Sequence, residues 1–101
     1  MEHLKKRGYK ILHRNYTTPV GEADIVAMDG ETFVFVEVKT RKTDSFGMPF
    51  EAVNYKKQAK LRKVSLYFSK QKKQELPVRF DVISILLAKG KPEIEHIEGA
   101  F

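Results

Sequence analysis

The sequence predicts an α/β fold: a mixed β-sheet flanked by helices, in the order α-β-β-β-α-β-β. Three observations predict it. Before residue 41 the chain runs in short alternating segments rich in Val, Ile, Phe and Tyr, which is strand patterning. Between residues 50 and 72 the apolar residues recur at helical spacing. After Pro77, "VRFDVISILLA" is close to continuously apolar, the character of a central strand buried on both faces.

The elements follow in order. Residues 2–7 form the end of a helix that Gly8 stops. "YKILHRNYT" reads as a strand with Tyr9, Ile11 and His13 on one side and Lys10, Leu12, Arg14 and Tyr16 on the other. Residues 22–28 alternate, and Asp29-Gly30 is expected to turn the chain as a type I′ hairpin. Residues 32–40 return. "TDSFGMPFEA" is a loop punctuated by Gly47 and Pro49, and a helix then runs from about Phe50 or Asn54 to about Lys72. Val53, Lys57, Leu61, Val64 and Phe68 share one stripe of that helix, and Lys56, Lys60, Lys63 and Lys70 lie on another face. Lys89-Gly90-Lys91-Pro92 turns the chain into "EIEHIE", an edge strand. No internal repeat, low-complexity segment or linker interrupts the chain.

Composition narrows the function. A chain of 101 residues argues for one domain, 1–101, with one modest core. It has no Cys, which excludes disulfides and thiolate metal sites and suits a reducing compartment. No apolar run approaches the roughly 18 residues of a membrane span, and the basic N-terminus lacks the apolar stretch of a signal peptide. A cytoplasmic protein without a membrane partner is expected. The net charge of +6 comes from 19 Lys and Arg against 13 Asp and Glu, clustered in "KKRGYK", "KTRK", "KKQAKLRK" and "KQKK". Such a surface attracts polyanions, of which phosphate backbones are the commonest.

The chemistry concentrates in "GEADIVAMDGETFVFVEVKTR". With period-two alternation, Glu22, Asp24, Val26 and Met28 share a face of the first arm, and Phe33, Phe35, Glu37, Lys39 and Arg41 share a face of the second. A turn at Asp29-Gly30 would pair Met28 with Glu31, Asp24 with Phe35 and Glu22 with Glu37, leaving Glu37 diagonal to Asp24. Like charges set opposite each other across strands are destabilising, so something must offset them. Lys39 and Arg41 offer part of the compensation, and a divalent cation offers more. Mg²⁺ and Mn²⁺ take oxygen ligands, usually one or two carboxylates with water and substrate phosphate. Lys39 points to the same side, where it could orient a water or stabilise charge on a phosphate. The structural alternative is a solvent-facing hairpin with a Glu–Lys pair. Against it, Val34, Val36 and Val38 fill the opposite face, so the charges emerge from an otherwise buried strand.

Asp24 followed by Glu37-Val38-Lys39 resembles the D…ExK signature of the PD-(D/E)xK nuclease superfamily. The wider string is more specific. "GYKILHRNY", "GEADIVAMDG", "FVFVEVKTR", "FGMPFEAVNYKKQAKL", "RFDVISI" and "HIEGAF" together resemble the YraN family of small bacterial proteins over nearly the whole chain. That family is similar to archaeal Holliday-junction resolvases. The resemblance implies a restriction-endonuclease-like, resolvase-like fold. It implies that Asp24 and Glu37 are metal ligands completed by the backbone carbonyl of Val38, with Mg²⁺ or Mn²⁺ as cofactor, and that Lys39 is the catalytic lysine. Glu22 stands in the family's Gly-Glu-x-Asp string as an accessory carboxylate. Lys57 and Gln58 match the position on the following helix where related nucleases place active-site residues; from the stripe alone, Lys57 reads equally as a lysine reaching solvent at a helix end. The family's first helix usually carries Gly-Glu-x-x-Ala-x-x-Tyr-Leu. Aligning Leu4 with the motif leucine puts that Glu before Met1, so the chain is expected to lack the start of this helix.

The other candidates are bland. His3, His13 and His96 lack metal-ligand spacing and read as surface or packing residues. Asp81, in "RFD", reads as a structural salt-bridge partner. Ser45 and Gly47 lie in a loop expected to touch DNA or a dimer partner, and no phosphate-binding Gly-rich loop is present. The function expected is therefore a divalent-metal-dependent endonuclease on structured or branched DNA. Arg41, Lys42, Lys56, Lys60 and Lys63 would hold the backbone, and a homodimer would match two-fold symmetric substrates. The alternative is a non-catalytic nucleic-acid-binding or adaptor domain that retains the nuclease fold.

Overall fold

A computed structural model describes residues 2–41, 55–73, 75–88 and 91–101. The element order is α1 (Glu2–Lys6), β1 (Lys10–Thr18), β2 (Gly21–Asp29), β3 (Thr32–Arg41), α2 (Tyr55–Lys72), β4 (Val78–Ala88) and β5 (Lys91–Ile97). The five strands form one sheet in the spatial order β1-β2-β3-β4-β5. Neighbours are antiparallel except β3 and β4, which are parallel and separated in sequence by α2. This is the mixed α/β sheet that the patterning predicts.

Each face of the sheet has its own apolar cluster. Ile25, Ala27, Val34, Val36 and Ile83 pack with Leu4 and Tyr9 on one face. Val26 and Phe35 pack with Leu61, Val64 and Phe68 of α2 on the other. Alternating side chains of β2, β3 and β4 thus go to opposite clusters, which is why these strands are apolar almost throughout. Phe68 also takes edge-on contacts from Phe35 and Tyr16, a favoured aromatic geometry. Of the stripe expected of α2, Leu61, Val64 and Phe68 are buried, with Ser65 beside them, Lys57 is half-buried and Val53 lies outside the described residues, while Lys56, Lys60, Lys63 and Lys70 are exposed.

Helix α1 ends as its sequence demands. Gly8 has φ +84, Gly8 N–H donates to Lys5 O, and Tyr9 N–H donates to Leu4 O at 2.9 Å. This pair of bonds is the Schellman closure, which needs the left-handed conformation that Gly adopts without steric cost.

Four local expectations are corrected. The hairpin turns on Gly30-Glu31, with Asp29 paired to Thr32 and Met28 to Phe33. Only Gly30, at φ +62, is left-handed there, so the turn has the glycine-first pattern of type II′; type I′ would force Glu31 to positive φ as well. The register therefore moves by two residues: Phe35 faces Val26 rather than Asp24, and Glu37 is not set against Glu22. In β1 a bulge between Ile11 and His13 inserts Leu12, and the His13 ring packs beside Tyr16 and Phe68 on the α2 side instead of following Ile11. In β2, Ala23 packs on the α2 side while Ile25 and Ala27 pack opposite, so alternation slips at Asp24. Finally, Lys91 and Pro92 belong to β5, paired with Ala88 and Leu87. Proline is tolerated there because β5 is an edge strand whose outer side needs no ladder donor.

Candidate functional site

The β2–β3 ladder ends at Ile25↔Val36, which leaves Asp24 and Glu37 as the next residue of each strand. Asp24 does not continue the ladder through its backbone. Its side-chain Oδ2 accepts a hydrogen bond from Val38 N at 2.8 Å, so the carboxylate itself occupies the gap where the strands part. The slip in β2 is what turns Asp24 into this position. Asn15, opposite on β1, has φ +52 and is skipped between the pairs Arg14↔Ile25 and Tyr16↔Ala23.

Glu37 lies on the α2 side, following Phe33 and Phe35, and is only 8% exposed. A carboxylate this buried needs partners. Lys57 Nζ, from the first turn of α2, donates to Glu37 Oε1 at 2.9 Å, and Lys39 Nζ stands 3.6 Å from the same oxygen. The two lysines act on each other. The adjoining Lys57, and then burial, hold Lys39 below its ordinary value against the pull of Glu37. Contact with Lys39, and then with the Glu37 carboxylate, raises Lys57. The two ammonium groups thus share one Glu37 oxygen, with Lys57 the closer partner.

These groups open into a cavity of about 450 Å³ whose walls include Glu22, Asp24, Glu37, Lys57 and Lys60. Thr17, Thr18 and Gly21 of the β1–β2 turn complete the rim. Of the residues expected at the site, Asp24, Glu37, Glu22, Lys57 and Lys60 meet in this cavity, and Lys39 joins them through Glu37. Glu22 is exposed at the mouth. Gln58 is half-buried on α2 and is not one of the cavity's walls. Lys56 and Lys63 are exposed on α2. Arg41 ends β3, while Lys42, Ser45 and Gly47 fall outside the described residues. Sequence reasoning missed the β1–β2 turn. The signal was "TTPVG": Thr18 Oγ1 accepts from Val20 N and donates to Gly21 O at 2.7 Å, a side-chain turn of the kind Thr-x-x-Gly favours.

The profile described as Uncharacterised protein family UPF0102 matches residues 1–85. A UPF0102 protein of Thermodesulfovibrio yellowstonii is 52% identical over 101 residues, covering 100% of this chain and 87% of the relative. One from Alkaliphilus oremlandii is 48% identical, with 100% and 89% covered. One from Geotalea daltonii is 51% identical, with 97% and 79% covered. Identity at this level across nearly the full chain, together with the profile, makes this chain a member of UPF0102, the YraN family that its motifs resemble.

Proposed function

We propose that the protein is a divalent-metal-dependent endonuclease that hydrolyses phosphodiester bonds in structured or branched DNA. The observation that carries this reading is the convergence of Asp24, Glu37 and the Val38 backbone at the point where β2 and β3 part, with Lys39 and Lys57 on Glu37. The donor set is all oxygen: two carboxylates and the Val38 carbonyl. It suits Mg²⁺ or Mn²⁺ rather than Zn²⁺. Among the described residues no group of three or more His, Cys, Asp or Glu is placed to hold a metal. The remaining ligands of such an ion therefore fall to water and substrate phosphate, which is how Mg²⁺ is commonly held. When bound, the ion supplies Lewis acidity at a phosphoryl oxygen.

The chain's own residues supply the rest. Lys39 Nζ orients the attacking water or balances charge that develops on the phosphate, and Lys57 does so from the helix side. Lys60, in the cavity wall, holds the neighbouring backbone, and Lys56, Lys63, Arg41 and Lys42 extend that grip. Phosphate contacts of this kind position a substrate without reading its sequence. A two-fold branched substrate suits a homodimer.

One observation favours a second reading, a non-catalytic nucleic-acid-binding or adaptor domain. The 2.9 Å ion pair from Lys57 already satisfies Glu37, as a cation would. Titration calorimetry with Mn²⁺, run beside cleavage of branched DNA, separates the two. For an endonuclease, the protein binds Mn²⁺ and cuts, while Asp24→Asn does neither yet still binds DNA. If DNA binding persists with no metal-dependent cleavage in the unaltered protein, the adaptor reading replaces the nuclease.

A further inference from the structure

On the face of the sheet away from α2, polar groups form a chain that the proposed reaction does not use. Asp81, on β4, is fully buried. It accepts from Arg79 Nε at 2.9 Å and Arg79 Nη2 at 3.0 Å, from Gly99 N at 3.1 Å, and meets His96 Nε2 at 2.7 Å. The other ring nitrogen of His96, Nδ1, stands 3.2 Å from His3 Nε2, and His3 belongs to α1. Burial alone would raise Asp81; Arg79, His96 and the Gly99 N–H overcome it and hold the carboxyl below its ordinary value.

We infer that the His3–His96–Asp81 chain is a proton-sensitive clasp that holds α1 on the sheet at neutral pH and releases it on acidification. The argument is one of donors and acceptors. Ionised Asp81 can only accept, so His96 Nε2 carries its proton. In the neutral rings His96 Nδ1 is then the acceptor and His3 Nε2 the donor. One added proton can be accommodated: His96 becomes a donor at both nitrogens, and His3 changes tautomer to accept. A second proton sets two N–H groups against each other at 3.2 Å, and the contact fails.

The surrounding charges count in the same direction. Arg79 also pairs with Asp29 and Glu98 and donates to the Tyr9 hydroxyl, and Arg7, just past the end of α1, pairs with Glu98. Three carboxylates, Asp81, Asp29 and Glu98, thus face two guanidiniums. One proton on the imidazoles balances the cluster and a second leaves it in excess. The Tyr9 ring lies edge-on to His96, with ring centroids 5.7 Å apart. Burial, then His96, then Arg7 hold His3 below the ordinary value of 6.5. A His with a depressed value is bound neutral, so its contribution is complete above 6.5 and is lost as pH falls below it.

Among the described residues the other ties of α1 are its buried Leu4 and, just past its end, the Arg7–Glu98 pair. The helix has five residues, and Leu4 is its one buried side chain. Its release would lift Leu4 out of the cluster it shares with Tyr9, Ile25, Val34, Val36 and Ile83 and bare an apolar sheet face. The test is amide hydrogen exchange, corrected for intrinsic rates, at about pH 7.5 and about pH 5. Protection of the Arg7, Gly8 and Tyr9 amides should fall by about tenfold at the lower pH, while β3 amides stay within about twofold. His3→Gln, which cannot titrate, should abolish that difference. Ring titrations by NMR on the unaltered protein should show His3 gaining its proton below 6.5, in the step that costs α1 its protection. The clasp is overturned if α1 protection does not change, if His3→Gln keeps the same pH response, if β3 and α2 lose protection equally, or if His3 titrates as a free imidazole.

Discussion

Glu37 shows how a single side chain sets the chemistry of its surroundings. Its strand neighbours Val36 and Val38 are apolar, and it is nearly enclosed, yet two ammonium groups reach one of its oxygens. Lys57 is 43% exposed at its side chain, so its ion pair adds little stability, about 0–1 kcal/mol. Its greater effect is competition. A divalent cation on Glu37 would compete with the Lys57 ammonium for that carboxylate. Lys57→Met should therefore bind Mn²⁺ several-fold more tightly in calorimetry, at little cost in melting temperature, while any cleavage falls. Unchanged affinity would mean that the metal does not use Glu37.

At the scale of elements, the β1–β2 turn matters as much as the β2–β3 hairpin. Gly21 has φ +146, and a Cβ built there would come within 3.3 Å of Val64 Cγ2 and 3.6 Å of Lys60 Cβ. The turn is thereby pressed against α2, which brings Thr17 and Thr18 to the cavity that Lys60 lines. Gly21→Ala should cost about 1–3 kcal/mol through backbone strain and lower the thermal midpoint; a neutral effect would show that the turn can back away from α2. How far these features are legible in the sequence depends on their range. The strands, the helix stripe and the glycine stop of α1 follow from periodicity and local stereochemistry. The carboxylates are visible as charges inside an apolar strand, and the motif adds only the roles proposed for them. The register is not legible, because Asp29-Gly30 and Gly30-Glu31 both satisfy a two-residue turn. A type I′ turn at Asp29-Gly30 would hold Asp29 at positive φ, whereas the type II′ turn at Gly30-Glu31 asks this only of Gly30. The bulge at Leu12 and the slip at Asp24 depend on packing against α2, which no local pattern encodes. The Asp81–His96–His3 chain joins residues as far as 93 positions apart, beyond any spacing rule.

For the molecule as a whole, charge is the strongest feature. The net charge is +6, and α2 presents Lys56, Lys60 and Lys63 outward near the carboxylate cavity. No helix among the described residues is long and apolar enough to cross a membrane. If the basic surface grips a phosphate backbone, DNA affinity should fall linearly with the logarithm of salt concentration. Lys60→Ala and Lys63→Ala should each flatten that slope by about 1, with little change in preference among sequences. A salt-independent affinity would remove nucleic acid from the functional reading.

The parallel pairing of β3 with β4 has a consequence for how the chain reaches this state. Every residue of that ladder meets a partner 45 positions away, whereas β2 and β3 close across two residues. Closing so long a loop costs roughly 3 kcal/mol of chain entropy before any contact repays it. The β1-β2-β3 meander can therefore assemble early, with β4 and the edge strand arriving late. Until they do, the far edge of β3 is unpaired, and Glu37 and Lys39 stand on an open strand. The walls of the candidate site come from the β1–β2 turn, β2, β3 and α2, so its carboxylates can be enclosed before β4 and β5 complete the sheet.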